Sequence, residues 1–512
     1  MKNAILLILL LPIYLAAGPF DGKGDCEPLF IRLSFSSERA DTAMGITWNT
    51  KEKCDAIAMV GELSDLEFMY YGTSSAGPDG TGWINEVTVT GLKHSTKYNY
   101  IVGNGTIYSP VNTFITAPLK GACDRFSFTV ASDSRADQEE DSVTQKWANI
   151  MSESLLDPET AFIINGGDLV YDGALAYQWV KWLEVTPSII SNKPFMAALG
   201  NHDDGPVDGD GAHYNKIFNF PKNPVTNTED SYYFIYGNAL FVVLSTSSFK
   251  DKFADLALWM DSVFEEHKDV AWKIVFLHHP IYCSAGTGIV SSVGHEPNEV
   301  GQNPHFVPVF DKHKVDIVVG AHNHYYERFS PSFGSKDNEY PISVNDPSLG
   351  TVYVLSGGGG ATTIPDQLTN LMCTSAFVDG SKSCSGLMHY LKIRIDSNVL
   401  TMETWATSQQ TLSNSPSNRE LIDQYTITKQ SVECATEEPD DTEVPDESIE
   451  PADENIETPD ETVIETPDET VDKTDENNTV PDESSSQIPD NSDTGQTEEI
   501  SSGRSGCSVI SL

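Results

Sequence analysis

Six short apolar stretches, each ending on polar residues, constrain the fold of this chain more than any other feature of its sequence. The stretches are residues 125–131, 161–165, 194–199, 238–244, 272–277 and 315–319. Runs of this length and composition predict strands that are buried on both faces. In open α/β sheets, ligands bind beyond the carboxyl ends of such strands. The sequence therefore predicts an α/β region whose functional residues lie at the strand ends.

Five of the six stretches are followed by side chains that can bind metal ions. These side chains are Asp133, Asp168 with Tyr171, Asn201, His278, and His322 with His324. The stretch at residues 238–244 ends in Ser245-Thr246 and brings no such ligand. Carboxylate, phenol, amide and imidazole groups together form a hard-to-borderline ligand set. The pattern predicts a phosphoester hydrolase that uses two metal ions.

The chemistry of phosphoester hydrolysis assigns a role to each of these ligands. Two ions about 3.5–4 Å apart shield the charge of the phosphoryl group and lower the pKa of a bound water. Ions that close need a bridging anion, and the Asp168 carboxylate can offer one oxygen to each. Asp133 and Tyr171 would flank one ion, and Asn201 and His278 the other. His322 and His324 are one residue apart, so each can reach a different ion.

Four sequence blocks carry a resemblance to a known family. They are Gly167-Asp168-Leu169-Val170-Tyr171, Gly200-Asn201-His202, His278-His279-Pro280 and His322-Asn323-His324-Tyr325-Tyr326-Glu327-Arg328. The chain resembles the purple acid phosphatases, which belong to the calcineurin-like metallophosphoesterases. The resemblance begins at a fibronectin type III-like N-terminal domain and runs to about Thr428, over three quarters of the chain.

The resemblance implies a ligand set for each metal ion. Asp133, Asp168, Tyr171 and His324 would bind a ferric ion, and charge transfer from the Tyr171 phenolate would give a purple colour. Asp168, Asn201, His278 and His322 would bind iron, zinc or manganese. His202 would not bind metal but would lie near the leaving-group oxygen, as general acid or hydrogen-bond donor.

The chain departs from the family at two positions. The first block usually has glycine two residues after its aspartate, whereas this chain has Arg135. That guanidinium either binds substrate phosphate in a bidentate manner or forms a surface ion pair. The substrate-contacting histidine expected about ten residues after His278 is replaced by His295, in a longer glycine-rich loop with Glu296 and Glu299 nearby. We expect His295 to take that role and His279 not to be a ligand.

The sequence predicts four segments. Residues 1–17 have the charged start, apolar stretch and small residues of a signal peptide. Residues 26–118 alternate apolar and polar positions, which predicts an all-β fibronectin or immunoglobulin-like domain. Residues 122–430 are expected to form the catalytic α/β domain, a two-sheet β-sandwich core flanked by helices near residues 142–156, 174–182 and 252–267. Strand patterns at residues 351–356, 388–395 and 400–406 suggest a second sheet packed on the first.

The last segment, residues 435–512, is rich in Pro, Thr, Glu and Asp, a composition typical of disorder. The whole chain carries a net charge of −45. Residues 435–500 hold 25 Asp and Glu against Lys473 alone, which is −24 and leaves about −21 for the rest. Even that remainder argues against a nucleic-acid or anionic-membrane partner. An acidic body attracts a phosphate substrate only through local cations, which agrees with metal ions in the site.

Eight cysteines indicate an oxidising compartment, so secretion or delivery to a vesicle lumen is expected. Cys26 with Cys54, and Cys373 with Cys384, are the pairs that the sequence favours. The partners of Cys123, Cys283 and Cys434 stay open, and Cys507 can remain free. Asn104 and Asn477 each begin a glycosylation sequon.

The function that these features favour is a secreted or vesicular, metal-dependent acid phosphatase acting on small-molecule or protein phosphomonoesters. No membrane anchor is expected. One alternative is a nucleotide pyrophosphatase or phosphodiesterase of the same fold. Another, of a different class, is a docking protein with an inactive metal core, but the complete ligand set argues against it.

Overall fold

The computed structural model describes residues 18–62, 65–135, 142–203, 212–286, 292–334, 342–344, 350–374, 381–407 and 419–435. The predicted signal peptide at residues 1–17, residues 436–512 of the predicted tail, Asn477 and Cys507 lie outside this part of the chain. Within it, the helices are too short or too polar to cross a membrane.

The N-terminal region is all-β, as its alternating pattern predicts. Its strands are β1 Leu29–Ser34, β2 Ala43–Thr50, β3 Ile57–Gly61, β4 Phe68–Tyr71, β5 Thr73–Ala76, β6 Trp83–Thr90, β7 Lys97–Gly103 and β8 Asn112–Ile115. In the described residues they pair as two antiparallel sheets of orders β1-β2-β6-β5 and β4-β3-β7-β8. Trp48 of one sheet and Tyr100 of the other are fully buried in one core.

The six apolar stretches are all strands and almost all of their residues are buried. They form β9 Phe126–Val130, β10 Thr160–Asn165, β11 Phe195–Ala197, β13 Ala239–Leu244, β14 Trp272–Leu277 and β15 Ile317–Gly320, with β12 at Tyr232–Tyr236. They divide between two sheets. Strands β9, β10 and β11 run parallel in one sheet, and β13, β14 and β15 run parallel in the other.

Most of the strands after β15 join the two sheets of the apolar stretches, so the suggested assignment to a second sheet of their own was wrong. These strands are β16 Tyr326–Phe329, β17 Ser332–Phe333, β18 Ile342–Ser343, β19 Val352–Ser356, β20 Ser381–Ser385, β21 His389–Asp396, β22 Val399–Thr407 and β23 Arg419–Thr428. Strands β17 and β18 form a small two-stranded sheet, and the others complete the two large sheets, whose orders are β11-β10-β9-β21-β22-β23 and β12-β13-β14-β15-β19-β16-β20 across the described residues. Strand β21 pairs antiparallel with β9, Ile393 opposite Phe128. A central strand such as β9 needs partners on both edges because its buried backbone groups must all be paired.

Aromatic side chains hold the two sheets together. Phe128 and Phe162 stack with ring centroids 5.1 Å apart, and Phe234 and Phe241 stack at 4.8 Å. Phe128 of the first sheet meets Phe241 of the second edge-on at 5.2 Å. Such pairs add about 0.5–1.5 kcal/mol each beyond their buried area. The two sheets therefore pack face to face as the predicted two-sheet core.

Helices lie around the sheets. They are α1 Ser142–Ser154, α2 Ala176–Val185, α3 Pro187–Ile190, α4 Ala212–Ile217, α5 Phe253–Glu266, α6 Asn303–His313 and α7 Asp366–Thr374, with a 3₁₀ turn at Lys250–Lys252. The three helices predicted from the sequence correspond to α1, α2 and α5. Helix α6 was not predicted, because Pro308 lies inside it and proline is typical of helix ends.

Disulfides and buried polar contacts fasten the described chain. The predicted pairs Cys26–Cys54 and Cys373–Cys384 are confirmed, Cys123 pairs with Cys434, and Cys283 is a buried thiol. The buried Arg32 of β1 donates from Nε to the Ile217 carbonyl at 2.8 Å, which joins the N-terminal sheets to α4. Burial lowers the pKa of Arg32 to about 9.

Candidate metal centre

Strained backbone presents the predicted ligands at the strand ends. Asp133, Asp168 and His322 have positive φ angles of 58°, 58° and 70°, which non-glycine residues adopt rarely. Such strain persists where the surrounding structure holds a functional site in place. Gly167 has φ 104°, and a Cβ there would lie 2.6 Å from Nδ1 of His278. The loop after β10 can therefore approach the loop after β14 only with glycine at this position.

His278 is the centre of the first ligand cluster. Its Nδ1 lies 2.9 Å from the Gly166 carbonyl and must donate to it, so Nε2 of the neutral ring carries the lone pair. Burial lowers the pKa of His278, which favours the neutral ring. Nε2 lies 3.0 Å from Asn201 Oδ1, 3.2 Å from Asp168 Oδ1 and 3.2 Å from His322 Nδ1.

His322 has the complementary arrangement. Its Nε2 lies 3.1 Å from a carboxylate oxygen of Glu299 and must donate to it, so in the neutral ring Nδ1 carries the lone pair. Two imidazole nitrogens, an amide oxygen and a carboxylate oxygen thus turn acceptor atoms toward one another. Ligands that share one ion at about 2.1 Å lie roughly 3 Å apart. These residues fit a divalent cation.

The second cluster contains Asp133, Asp168 and His324, which bring one ligand atom each within 4.8 Å of one another. His324 Nδ1 donates to the Thr362 carbonyl at 2.9 Å, and its Nε2 lies 3.5 Å from Asp133 Oδ1. That Asp133 oxygen is buried and accepts no hydrogen bond from the described residues. Burial opposes protonation of His324, but the Asp133 carboxylate outweighs it and raises the pKa of the ring. This side of the site therefore also favours a cation.

Asp168 joins the two clusters. One carboxylate oxygen, Oδ1, faces His278, and the other, Oδ2, accepts a hydrogen bond from Arg135 Nε at 3.0 Å. Burial alone would raise the pKa of Asp168, but the electrostatic interactions with the neighbouring His278, His202 and Arg135 side chains together outweigh burial and lower it. The carboxylate is therefore ionised, and it belongs to both clusters.

Tyr171 and His202 lie together beside Asp168. Their ring centroids are 5.3 Å apart. His202 Nδ1 donates to the Tyr171 carbonyl at 2.6 Å, and the His202 backbone N–H donates to Asp168 Oδ1 at 3.0 Å. The ring of Tyr171 also lies 5.7 Å from the Arg135 guanidinium. Within the part of the chain that the structure describes, the Tyr171 hydroxyl makes no hydrogen bond to Asp133, Asp168 or His324.

His295 and Glu299 lie at the mouth of the first cluster. The ring centroids of His295 and His322 are 4.1 Å apart, and the His295 side chain is 51% exposed. The Glu299 carboxylate lies 3.2 Å from His295 Nδ1 as well as 3.1 Å from His322 Nε2. The hydrogen bond from His322 lowers the pKa of Glu299 to about 2. His279, which is buried against Thr246, lies behind His322 with ring centroids 4.5 Å apart.

Family models match this architecture in two places. The model described as calcineurin-like phosphoesterase matches residues 126–326, and the model described as purple acid phosphatase, N-terminal domain, matches residues 28–116. The chain belongs to the purple acid phosphatase family. The region that the calcineurin-like phosphoesterase model matches contains every candidate metal ligand, from Asp133 to His324.

Purple acid phosphatases of plants are among the similar proteins. A purple acid phosphatase of Glycine max is 26% identical over 332 residues, which are 61% of this chain and 65% of that protein, just under two thirds of its length. Purple acid phosphatase 1 of Ipomoea batatas is 24% identical over 375 residues, 70% of this chain and 73% of that protein.

Two solved structures share the fold. The purple acid phosphatase PPD1 from yellow lupin seeds superposes with a TM-score of 0.64 at 19% identity, covering 79% of this chain and 74% of that one. A structure of PhoD superposes with a TM-score of 0.60 at 10% identity, covering 81% and 94%.

Two carboxylates of this purple acid phosphatase family member were not predicted to have a role. Glu299 was noted only as a neighbour of His295. Asp203 directly follows His202, and its Oδ1 accepts the backbone N–H groups of Leu169 at 2.7 Å and Val170 at 3.1 Å. Its Oδ2 accepts the Gly200 N–H at 3.0 Å, so Asp203 fixes the loop after β10 to the loop after β11. The signal available in the sequence was the position of this aspartate directly after the Gly200-Asn201-His202 block, at the end of an apolar stretch, because a carboxylate that becomes buried needs hydrogen-bond partners.

Proposed function

We propose that the protein is an acid phosphatase that hydrolyses phosphate monoesters with two metal ions and a metal-activated water. The observation that supports this most is the Asp168 carboxylate, which belongs to both clusters of candidate metal ligands. Acceptor atoms repel one another unless a cation lies among them. A shared carboxylate is also the group that holds two ions at the short distance that phosphoester hydrolysis needs.

The proposed ligand sets follow the two clusters. The set Asp133, Asp168, Tyr171 and His324 would hold a ferric ion. The set Asp168, Asn201, His278 and His322 would hold iron, zinc or manganese. When bound, the ions polarise the phosphoryl oxygens and lower the pKa of a bound water.

His202 is proposed to serve the leaving group. Its Nδ1 is committed to the Tyr171 carbonyl, so Nε2 is the atom that can hold a proton for the departing oxygen. The His202 ring is held by its hydrogen bond to the Tyr171 carbonyl and by its contact with the Tyr171 ring, neither of which involves a proposed ligand atom. This separates His202 from the metal-binding histidines. His295, exposed beside His322, is proposed to contact the phosphate.

The compartment and the segment boundaries are part of the proposal. Three disulfides among the described cysteines support an oxidising compartment, secreted or luminal. The segments 1–17, 26–118, 122–430 and 435–512 remain the proposed signal peptide, N-terminal domain, catalytic domain and tail.

The test combines metal analysis with hydrolysis of two model substrates. Purified protein should contain two metal ions per chain, absorb visible light and hydrolyse an aryl phosphate monoester faster than a bis-aryl phosphodiester at acidic pH. Asp168→Ala and Asn201→Ala should abolish activity, and Tyr171→Phe should lose the colour while it keeps metal. Faster diester hydrolysis would favour the phosphodiesterase, and a protein that binds metal but cleaves neither substrate would favour the docking protein.

A further inference from the structure

Arg135 lies within the ligand cluster on the Tyr171 side of the site. Its Nε donates to Asp168 Oδ2 at 3.0 Å, and its Nη2 lies 3.4 Å from Nε2 of His324. The guanidinium carbon is 5.7 Å from the ring centroid of Tyr171. The side chain is only 14% exposed. Three of the four side chains proposed to hold the ferric ion therefore contact this one cation.

The guanidinium and a metal ion need the same atoms. His324 Nδ1 is committed to the Thr362 carbonyl, so Nε2 is the only nitrogen of that ring with a lone pair to offer. Asp168 Oδ1 faces His278, so Oδ2, which accepts from Arg135, is the oxygen left for an ion on the Tyr171 side. Arg135 contacts both of these atoms. Two positive groups cannot share them, because like charges at such short distances repel strongly where water is excluded.

The cluster around His278 is arranged differently. There the facing atoms are Asp168 Oδ1, Asn201 Oδ1 and His322 Nδ1, and Arg135 reaches Asp168 through the opposite oxygen. An ion can bind at His278 while Arg135 keeps its place. The two metal sites therefore differ in what must move before an ion enters.

We propose that Arg135 competes with the metal ion for the Tyr171-side site, so that this site binds its ion more weakly than the His278-side site. An ion enters only when the guanidinium leaves Asp168 Oδ2 and His324 Nε2. The displaced guanidinium can then donate to phosphoryl oxygens at the edge of the site. This inference rests on the proposed dinuclear centre and concerns the order and affinity of metal binding.

The experiment compares metal binding by the full-length wild type, Arg135→Gly and Arg135→Lys. Chelator-treated protein is titrated with zinc ions alone in a calorimeter, and separately with ferric citrate while visible absorbance is recorded. Arg125→Gly is the matched control, since Arg125 pairs with Glu159 just before β9, the strand that leads to the loop of Arg135.

The wild type should bind one zinc ion tightly and a second at least about tenfold more weakly. In Arg135→Gly, the affinity for the second zinc ion should rise about tenfold or more, and the affinity for the first should change by less than about twofold. The visible absorbance of this variant should develop at a lower ferric concentration. The second-step affinity of Arg135→Lys should lie between those of the wild type and Arg135→Gly, because an ammonium cannot contact both Asp168 Oδ2 and His324 Nε2 as a guanidinium does. Arg125→Gly should match the wild type.

Two outcomes would contradict the inference and differ from each other. If both proteins bind two ions, and each binding step has the same affinity in the wild type as in Arg135→Gly, then Arg135 does not compete with the metal ion and the dinuclear proposal stands. If neither protein binds a second ion at any concentration, the dinuclear proposal fails together with the inference.

Discussion

At the scale of single residues, hydrogen bonds to carbonyl and carboxylate oxygens decide which nitrogen of each candidate ligand histidine is available. His278 and His324 donate from Nδ1 to carbonyl oxygens, whereas His322 donates from Nε2 to a carboxylate. Carbonyl and ionised carboxylate oxygens can only accept, so each contact fixes a tautomer. The residue types were evident in the sequence, but the available ring nitrogens were not, because groups distant in the sequence set them.

His202 provides a test of the proposed division between ligands and acid. We expect His202→Ala to keep both metal ions and to lower turnover by about 10²–10⁴-fold, the usual contribution of a general acid. Metal analysis and kcat on the same preparation check this. His278→Ala serves as the comparison and should lose metal. Loss of metal from His202→Ala would make His202 a ligand.

Glu299 provides a second test, because it accepts from Nε2 of a proposed ligand, His322. Carboxylates in that position orient the ring, and their loss costs about 10–100-fold in metal affinity. We expect Glu299→Gln to weaken binding of the divalent ion by this amount and Glu299→Asp to recover part of it. Glu296→Gln, a change at an exposed carboxylate in the same segment, is the control. Equal zinc affinities in wild type and Glu299→Gln, measured by calorimetry, would leave Glu299 without this role.

At the scale of elements, the two parallel strand sets present loops to one another. Gly166 after β10 contacts His278 after β14, and Asp203 fastens the loop after β10 to the loop after β11. The site is thus assembled from the carboxyl ends of strands in different sheets. The sequence predicted the six strands within a few residues, because buried strands are short apolar runs. It did not predict their division between sheets, since pairing partners are distant in sequence.

Burial of a carboxylate in the segment before β12 makes stability depend on pH. Glu229 is buried, its carboxylate accepts the Phe220 N–H at 2.9 Å, and burial, together with the charge of Glu86, raises its pKa from 4.5 to about 8. Folded protein then holds a proton that unfolded protein releases above pH 4.5. The stabilisation that this proton provides is fully present below pH 4.5 and is lost as the pH rises toward 8.

We expect the free energy of unfolding to fall between pH 5 and pH 8, with a contribution from Glu229 of at most about 1.4 kcal/mol per pH unit. Glu229→Gln should flatten this dependence because an amide does not ionise. Chemical denaturation at several pH values measures the slope. Glu67→Gln, at an exposed carboxylate, should keep the wild-type slope, and an unchanged slope in Glu229→Gln would refute the assignment.

At the scale of the whole molecule, the Cys123–Cys434 disulfide links the start of the catalytic region to its end, with a sequence separation of 311 residues. Residues 436–512 follow directly and have a composition that predicts no packing against the enzyme. Truncation after Ala435 should therefore leave the melting temperature and activity nearly unchanged. Cys434→Ser in the full chain should lower stability by about 2–4 kcal/mol, the usual worth of a disulfide.

Thermal unfolding and monoester hydrolysis of the two variants check this pair of expectations. A clear fall in either property after truncation would mean that the tail contributes to the enzyme. A Cys434→Ser variant as stable as the wild type would mean that the disulfide adds nothing to the closure of the core.

The sequence by itself determined the strands, the all-β N-terminal region and the set of ligand types, because these depend on local apolar patterns and on the chemistry of single side chains. Tertiary structure alone decided that β21, β22 and β23 complete the first sheet and that Asp168 belongs to both ligand clusters. It also decided that Arg135 lies among Asp168, His324 and Tyr171. These features arise from contacts between residues far apart along the chain, since backbone pairing and the burial of charge are satisfied only when the sheets pack together.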